Sequence, residues 1–184
     1  MEYRLATLND IESILELHKK YQVDTIKEED KKDGFVTTNF TKDDLKELIE
    51  KEQGLFIAVE KSRVLAYVMS ASWEYCSRWD IFKEMIEDLP NIEYKGYRLS
   101  TKNSYQYGPI SIDKSVRGSE VLPNIFNFAL EMMSKKYPVM VTFVNKINPR
   151  SFNAHHKKLG LDILKEFEFN GNRYWELGCL TKGK

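Results

Sequence analysis

Two stretches of this chain carry residue types whose spacing could do chemistry. In the first, an alternating segment from Tyr105 to Ile112 passes through a turn, Asp113 to Gly118, into a helix-period run with apolar residues at Leu122, Ile125, Phe126, Ala129, Met132 and Met133. A strand, a tight turn and a helix N-terminus bring backbone N–H groups and the positive end of a helix dipole to one point, which makes an anion site. The N–H groups from Arg117 through Gly118, Ser119, Glu120 and Val121 to Leu122 would do the binding. Two residues work against it: Glu120 sets a carboxylate beside the anion, and Pro123 removes a donor from the first turn. The plain alternative is an ordinary helix start. In the second stretch, His155 and His156 lie in a run from Asn148 that Gly160 closes. A neutral imidazole, with its ordinary pKa of about 6.5, suits proton transfer at neutral pH. Neighbouring helical residues point about 100° apart, so only one of the pair can face a given site. The alternative for each is a solvated or core histidine.

These stretches need a scaffold, and the rest of the chain reads as one. Tyr3 and Leu5 begin a first strand. Asn9 and Glu12 stand in capping-box spacing before a helix with Ile11, Ile14, Leu15, Leu17 and His18 that runs to about Tyr21. From Gln22 to Gly34 the chain is too polar for a core and reads as a loop or a short solvated helix. Thr41 and Asp44 form a capping pair, flanked by Phe40 and Leu45 at the staple positions, and Gly54 ends the helix they start. Leu55–Val59 and Val64–Met69 form an antiparallel hairpin. The segment from Ser72 to Ser104 holds a short helix over Ile81–Leu89 that stops at Pro90-Asn91. Gly108-Pro109 interrupts the strand that follows, since proline cannot donate to a ladder. Val139–Val144 is a short apolar strand, and the tail is a hairpin turning at Asn170-Gly171.

Composition narrows the function classes. The chain has 184 residues, the size of one domain, and its 28 basic and 28 acidic residues cancel. No long block of like charge is present, which argues against nucleic acid or a membrane surface as a partner. No apolar run approaches the roughly 20 residues needed to span a bilayer. Cys76 and Cys179 lack metal-ligand spacing, so no metal is expected, and with no signal-peptide pattern at the start the expected location is the cytoplasm.

The motifs, taken in order, resemble those of the GNAT superfamily of N-acetyltransferases. The family's strand–turn–helix frame, V-x-P-x-y-R-G-x-G-x-G/A, is matched by Ile112, Arg117 and Gly118, while its later two glycines are absent. Its N-x-x-S/A motif and the helix ending in l-G-F are matched by Asn148, Ser151, Leu159, Gly160 and Leu161. The opening R-x-A-x-x-x-D-I is matched by Arg4, Ala6, Asp10 and Ile11. The resemblance implies one α/β (α+β) domain over residues 1–184, with a mixed, mainly antiparallel sheet of about seven strands and helices on both faces. It makes residues at about 74–104 an insertion between the third and fourth strands that shapes the acceptor pocket.

The resemblance further implies transfer of an acetyl group from acetyl-CoA to a primary amine of a small molecule or peptide, with a homodimer left open. Backbone groups of Ile110, Ser111 and Ile112 would pair with the pantetheine arm, and the N–H of Ile110 or Ser111 would polarise the acetyl carbonyl. Asn148, Ser151 and Asn153 would add cofactor contacts. The family's acid, a tyrosine four residues before the glycine of l-G-F, falls at His156; counting from Ser151 selects His155. His156 is preferred on the spacing from Gly160. Glu74 and Tyr107 are candidates for the base and for an alternative proton source. The lost glycines and missing tyrosine leave two competitors: a non-catalytic GNAT-fold protein that binds CoA or acyl-CoA, and a scaffold whose cleft takes another ligand or a protein.

Overall fold

A computed structural model describes residues 1–33 and 35–183, so the expectation at Gly34 lies outside the described residues. The strands are β1 (Glu2–Leu5), β2 (Leu55–Glu60), β3 (Arg63–Ala71), β4 (Glu93–Tyr94), β5 (Tyr97–Arg98), β6 (Ser104–Ile112), β7 (Val139–Asn145), β8 (Asp162–Phe169) and β9 (Asn172–Leu180). The α-helices are α1 (Ile11–Tyr21), α2 (Lys42–Glu47), α3 (Trp73–Cys76), α4 (Asp80–Asp88), α5 (Val121–Met133) and α6 (Pro149–Phe152). Seven strands, the number that the resemblance implies, form one sheet in the order β1-β2-β3-β6-β7-β9-β8. β1–β2, β2–β3, β7–β9 and β8–β9 are antiparallel, and β6–β7 is parallel. The chain gathers into two compact units, Met1–Ser70 with Gly108–Leu130, and Ala71–Tyr107 with Glu131–Lys184.

In the first unit, the helix start is built differently from expectation. Asn9 and Glu12 do not form the capping box; Thr7 and Asp10 do, around a short 3-10 turn, Leu8–Asp10, that precedes α1. The reason is Arg4, whose Nη1 and Nη2 donate to the two Asp10 carboxylate oxygens, each at 2.8 Å, while Thr7 N–H donates to the same carboxylate at 2.7 Å. Arg4 outweighs the effect of burial and holds the Asp10 carboxyl at about 2. The Arg4…Asp10 spacing is therefore a clamp between the first strand and the first helix. The Thr41–Asp44 box forms as read, with Phe40 and Leu45 both buried. A π-helical turn, Leu48–Glu52, continues α2, and Gln53 at φ 50° takes the left-handed position after it. Gly54 is glycine because a Cβ there would lie 1.7 Å from the Ser70 carbonyl oxygen.

Helices lie on both faces of the sheet in this unit. Phe56 meets Phe128 of α5 edge-on at 5.8 Å, and Tyr67 meets His18 of α1 at 6.2 Å. Ile57 pairs with Tyr67, so Phe56 and Tyr67 point to opposite faces. Of the expected α5 face, Ile125, Phe126, Ala129 and Met133 are buried; Leu122 and Met132 are half-buried, and Val121 and Leu130 complete the stripe.

The second unit holds β7, β8, β9 and the segment between β3 and β6. The tail hairpin turns at Asn170 (φ 48°) and Gly171 (φ 74°), the two positive φ values that Asn-Gly favours. The expected helix over Ile81–Leu89 is α4, which is closed by a 3-10 turn over Leu89–Asn91. The sequence reading missed the small hairpin β4–β5, because strands of two residues show no alternation to read. Cys76 and Cys179 are buried and not joined in a disulfide. No helix among the described residues is long and apolar enough to cross a membrane.

Candidate functional site

The first candidate lies where β6 turns into α5. Asp113 opens the turn: its Oδ1 accepts from Ser115 N–H at 3.0 Å and from the Ser115 hydroxyl at 2.7 Å, and its Oδ2 accepts from Lys20 at 2.8 Å. Burial pushes this carboxyl up, but Lys20 and Ser115 outweigh it and hold it at about 2. The end of α1 braces the same turn, because the Tyr21 hydroxyl accepts from Lys114 N–H at 2.7 Å. Arg117 lies 4.4 Å over the Tyr21 ring, and its Nε donates to the Ile112 carbonyl at 2.9 Å. The motif arginine thus anchors the turn to the strand behind it. None of Lys20, Tyr21 or Asp113 is marked by the motif, and only their contacts identify them.

Past Arg117 the backbone opens. Gly118 takes φ +80°, where a Cβ would meet nothing within 4 Å, so the glycine answers to backbone conformation rather than to crowding. The Ser119 hydroxyl donates to the Val116 carbonyl at 2.6 Å and accepts from Val121 N–H at 3.3 Å. The N–H groups of Gly118, Glu120 and Leu122 make no hydrogen bond among the described residues. Three free donors, a left-handed glycine and the start of a 13-residue helix make a cradle for a phosphate-like anion. Glu120 is exposed. In β6 just before the turn, Ser111 is buried and Ile110 and Ile112 are half-buried.

The second candidate lies in the other unit, around Tyr107 and the histidines. Registered pairing of β6 with β7 includes Ser104↔Val139, Tyr105↔Met140 and Gln106↔Val141. At the next position the Tyr107 carbonyl accepts from the Thr142 hydroxyl at 2.7 Å and from Gln106 Nε2 at 2.8 Å. Two side chains thus reach this carbonyl, and Gly108 (φ 103°) and a cis Gly108-Pro109 bond follow. β6 itself continues through Gly108-Pro109 to Ile112.

His155 and His156 sit in a π-helical turn, Asn153–Lys158, that continues α6. His155 is buried, and its ring stands edge-on to Tyr107 at 5.8 Å. Its Nδ1 lies 2.8 Å from the Ser151 carbonyl, which can only accept, so the proton sits on Nδ1 and Nε2 keeps its lone pair. Burial lowers the His155 pKa, so the ring is neutral at pH 7. His156 also donates through Nδ1, to the Leu161 carbonyl at 2.7 Å, but its ring stacks on Phe152 at 5.1 Å. Of the two, His155 is the one turned to β6. Asn148 caps α6 by accepting from Ser151 N–H at 3.1 Å, so the Asn-x-x-Ser spacing is a capping spacing. Asn153 is exposed, as is Glu74 in the first turn of α3. Tyr107 is 1% exposed and burial pushes its phenol pKa up, which makes it a weak proton donor.

No protein-family model and no curated protein matches this sequence. Solved structures do. The acetyltransferase of GNAT family from Streptococcus pneumoniae aligns over 97% of this chain and 98% of its own, with a TM-score of 0.65 at 11% identity. The chain has the GNAT fold. A second GNAT-like neighbour in shape, yncA from Salmonella typhimurium, solved with its cofactor acetyl-CoA, aligns over 100% of this chain and 95% of its own, with a TM-score of 0.64 at 12% identity. The protein smu.2055 from Streptococcus mutans UA159 aligns over 99% of this chain and 100% of its own, with a TM-score of 0.67 at 16% identity. At such identities the GNAT likeness speaks for architecture, and chemistry has to be argued from this chain's residues.

Proposed function

We propose that this GNAT-fold chain is an acyltransferase that moves an acetyl group from acetyl-CoA to a primary amine. The observation that carries the reading is the cradle at the start of α5, where Gly118, Glu120 and Leu122 offer three N–H groups without partners among the described residues. A diphosphate on a nucleotide is the anion that suits several convergent backbone donors at a helix N-terminus. The glycines that the family motif carries beyond Gly118 are not required for this, because the donors are backbone groups and Ser119 folds its hydroxyl back onto Val116.

The chemistry needs no covalent enzyme intermediate. A neutral amine attacks the thioester carbonyl carbon, the C–S bond breaks, and the proton lost by nitrogen ends on the thiolate. Backbone N–H of Ile110 or Ser111 would stabilise the oxyanion, as such donors do when fixed in advance. Within the second unit His155 is the group whose chemistry suits carrying that proton, since its Nε2 keeps a lone pair while Nδ1–H stays on Ser151. Glu74 and Tyr107 are less suited, one by exposure and the other by its raised pKa. Two buried cysteines outside any disulfide fit a reducing compartment such as the cytoplasm.

The test is a thiol-release assay with acetyl-CoA against polyamines, aminoglycosides, amino acids and peptide N-termini. Release that depends on one acceptor class, with acetylated amine recovered, supports the reading. Tight CoA binding without turnover on any acceptor replaces it with a CoA-binding regulator.

A further inference from the structure

The second unit contains a buried carboxylate that nothing in acetyl transfer uses. Glu176, on β9, is 1% exposed, and its Oε1 has no hydrogen-bond partner among the described residues. It lies in the wall of a cavity of about 320 Å³ between α4 and the β8–β9 hairpin, within the size range of small-ligand pockets. The natural counter-charge is close but engaged elsewhere. Lys165 stands opposite Glu176 across the β8–β9 ladder, yet its ammonium is bound to Asp88 of α4.

An unpaired carboxylate in such a place is costly, and the fold can offset the cost by neutralising it with a proton or with a cation. Four carboxylates, Glu84, Glu87, Asp88 and Glu176, line the cavity against the single ammonium of Lys165, so the cavity attracts positive charge. A metal ion is disfavoured by geometry, since no group of three His, Cys, Asp or Glu among the described residues could hold one. Met85 and Phe167 supply apolar wall, which suits the carbon body of an organic cation.

We propose that this cavity binds a small organic ammonium ion, with Glu176 as the buried counter-charge and Glu84, Glu87 and Asp88 at the rim. The site is independent of acetyl transfer and stands whether or not that reading does.

The test uses the full chain without CoA, titrated with 1,4-diaminobutane at pH 8 and followed calorimetrically and by amide chemical shifts, with equal ionic strength of potassium chloride as the control. Saturable binding that shifts the amides of Asn91, Lys165 and Phe167, and that weakens at least tenfold in Glu176→Gln, is expected. The charges facing Glu176 are Lys165 from β8 and Glu84, Glu87 and Asp88 from α4, and burial raises the Glu176 carboxyl to about 7. Binding should accordingly weaken from pH 8 to pH 6. No saturable binding, amide shifts confined to other parts of the chain, equal shifts with potassium chloride, or unchanged affinity in Glu176→Gln would each overturn the proposal. The amide map is read on the wild-type chain and so does not depend on how the variant folds.

Discussion

The hydroxyl of Thr142 donates to the Tyr107 carbonyl at 2.7 Å, at the position where the β6–β7 ladder would take its next step. A side chain on β7 thus supplies a donor to a buried backbone carbonyl of β6. Gln106 adds the second donor. Replacing Thr142 by valine keeps the shape and removes one donor, so the unfolding free energy should fall by about 1 kcal/mol. Adding Gln106→Leu removes the second side-chain donor, and the double variant should lose roughly 2–3 kcal/mol. Urea unfolding of the three proteins measures this, and an unaffected double variant would mean that water already serves the carbonyl.

The turn before α5 should show an acid-sensitive step. Asp113 is held at about 2, below its ordinary 3.8, so its contribution is fully present above pH 4 and is lost as the pH falls toward 2. Lowering the pH from 5 to 2 should cost the wild type about 2 kcal/mol more than Asp113→Asn. Parallel curves for the two proteins would show that Lys20 and Ser115 do not stabilise the ionised form.

Glu176 titrates with the opposite sign. Its folded-state pKa of about 7 lies above the ordinary 4.5, so the folded chain holds an extra proton between these values and loses stability as pH rises through 7. Glu176→Gln should therefore be more stable than wild type by about 1–3 kcal/mol at pH 8, with the gap closing near pH 4.5. A variant equally or less stable at pH 8 would mean that the carboxylate is already compensated.

The histidines make opposite predictions for a relay and for a structural pair. His155→Asn can still donate to the Ser151 carbonyl but has no lone pair in place of Nε2, so kcat should fall about 10²-fold with little change in acetyl-CoA affinity. His156→Asn should change kcat little, because that ring is stacked on Phe152. Since burial lowers the His155 pKa, wild-type activity should hold through neutral pH and fall only on acidification below the ordinary histidine range. A kcat loss confined to His156→Asn would restore the choice made from the Gly160 spacing.

Much of the architecture could be read from periodicity and turn chemistry. The Thr41–Asp44 cap and the Asn170-Gly171 hairpin follow from local rules that act within a few residues, while the seven-stranded sheet is what the family resemblance implies. What could not be read depends on distant partners. Arg4 moves the first cap from Asn9 to Thr7, Tyr21 and Lys20 brace a turn about 90 residues away, and Thr142 meets Tyr107 across strands. Which histidine turns to β6 depends on the π-helical turn that carries both, and a count from either flanking motif residue assumes a regular helix. The Asn148 motif was visible as a spacing, but its use as a helix cap shows only in the Ser151 contact.

The central claim is that the free backbone donors at the start of α5 hold the diphosphate of acetyl-CoA. The direct measurement is a titration of the uniformly ¹⁵N-labelled chain with acetyl-CoA, following the amides of Gly118, Glu120 and Leu122. Large saturable shifts at all three are expected, at lower ligand concentration than with a nucleotide lacking pantetheine. Saturation with these amides unmoved, or no saturation at millimolar acetyl-CoA, would contradict the account.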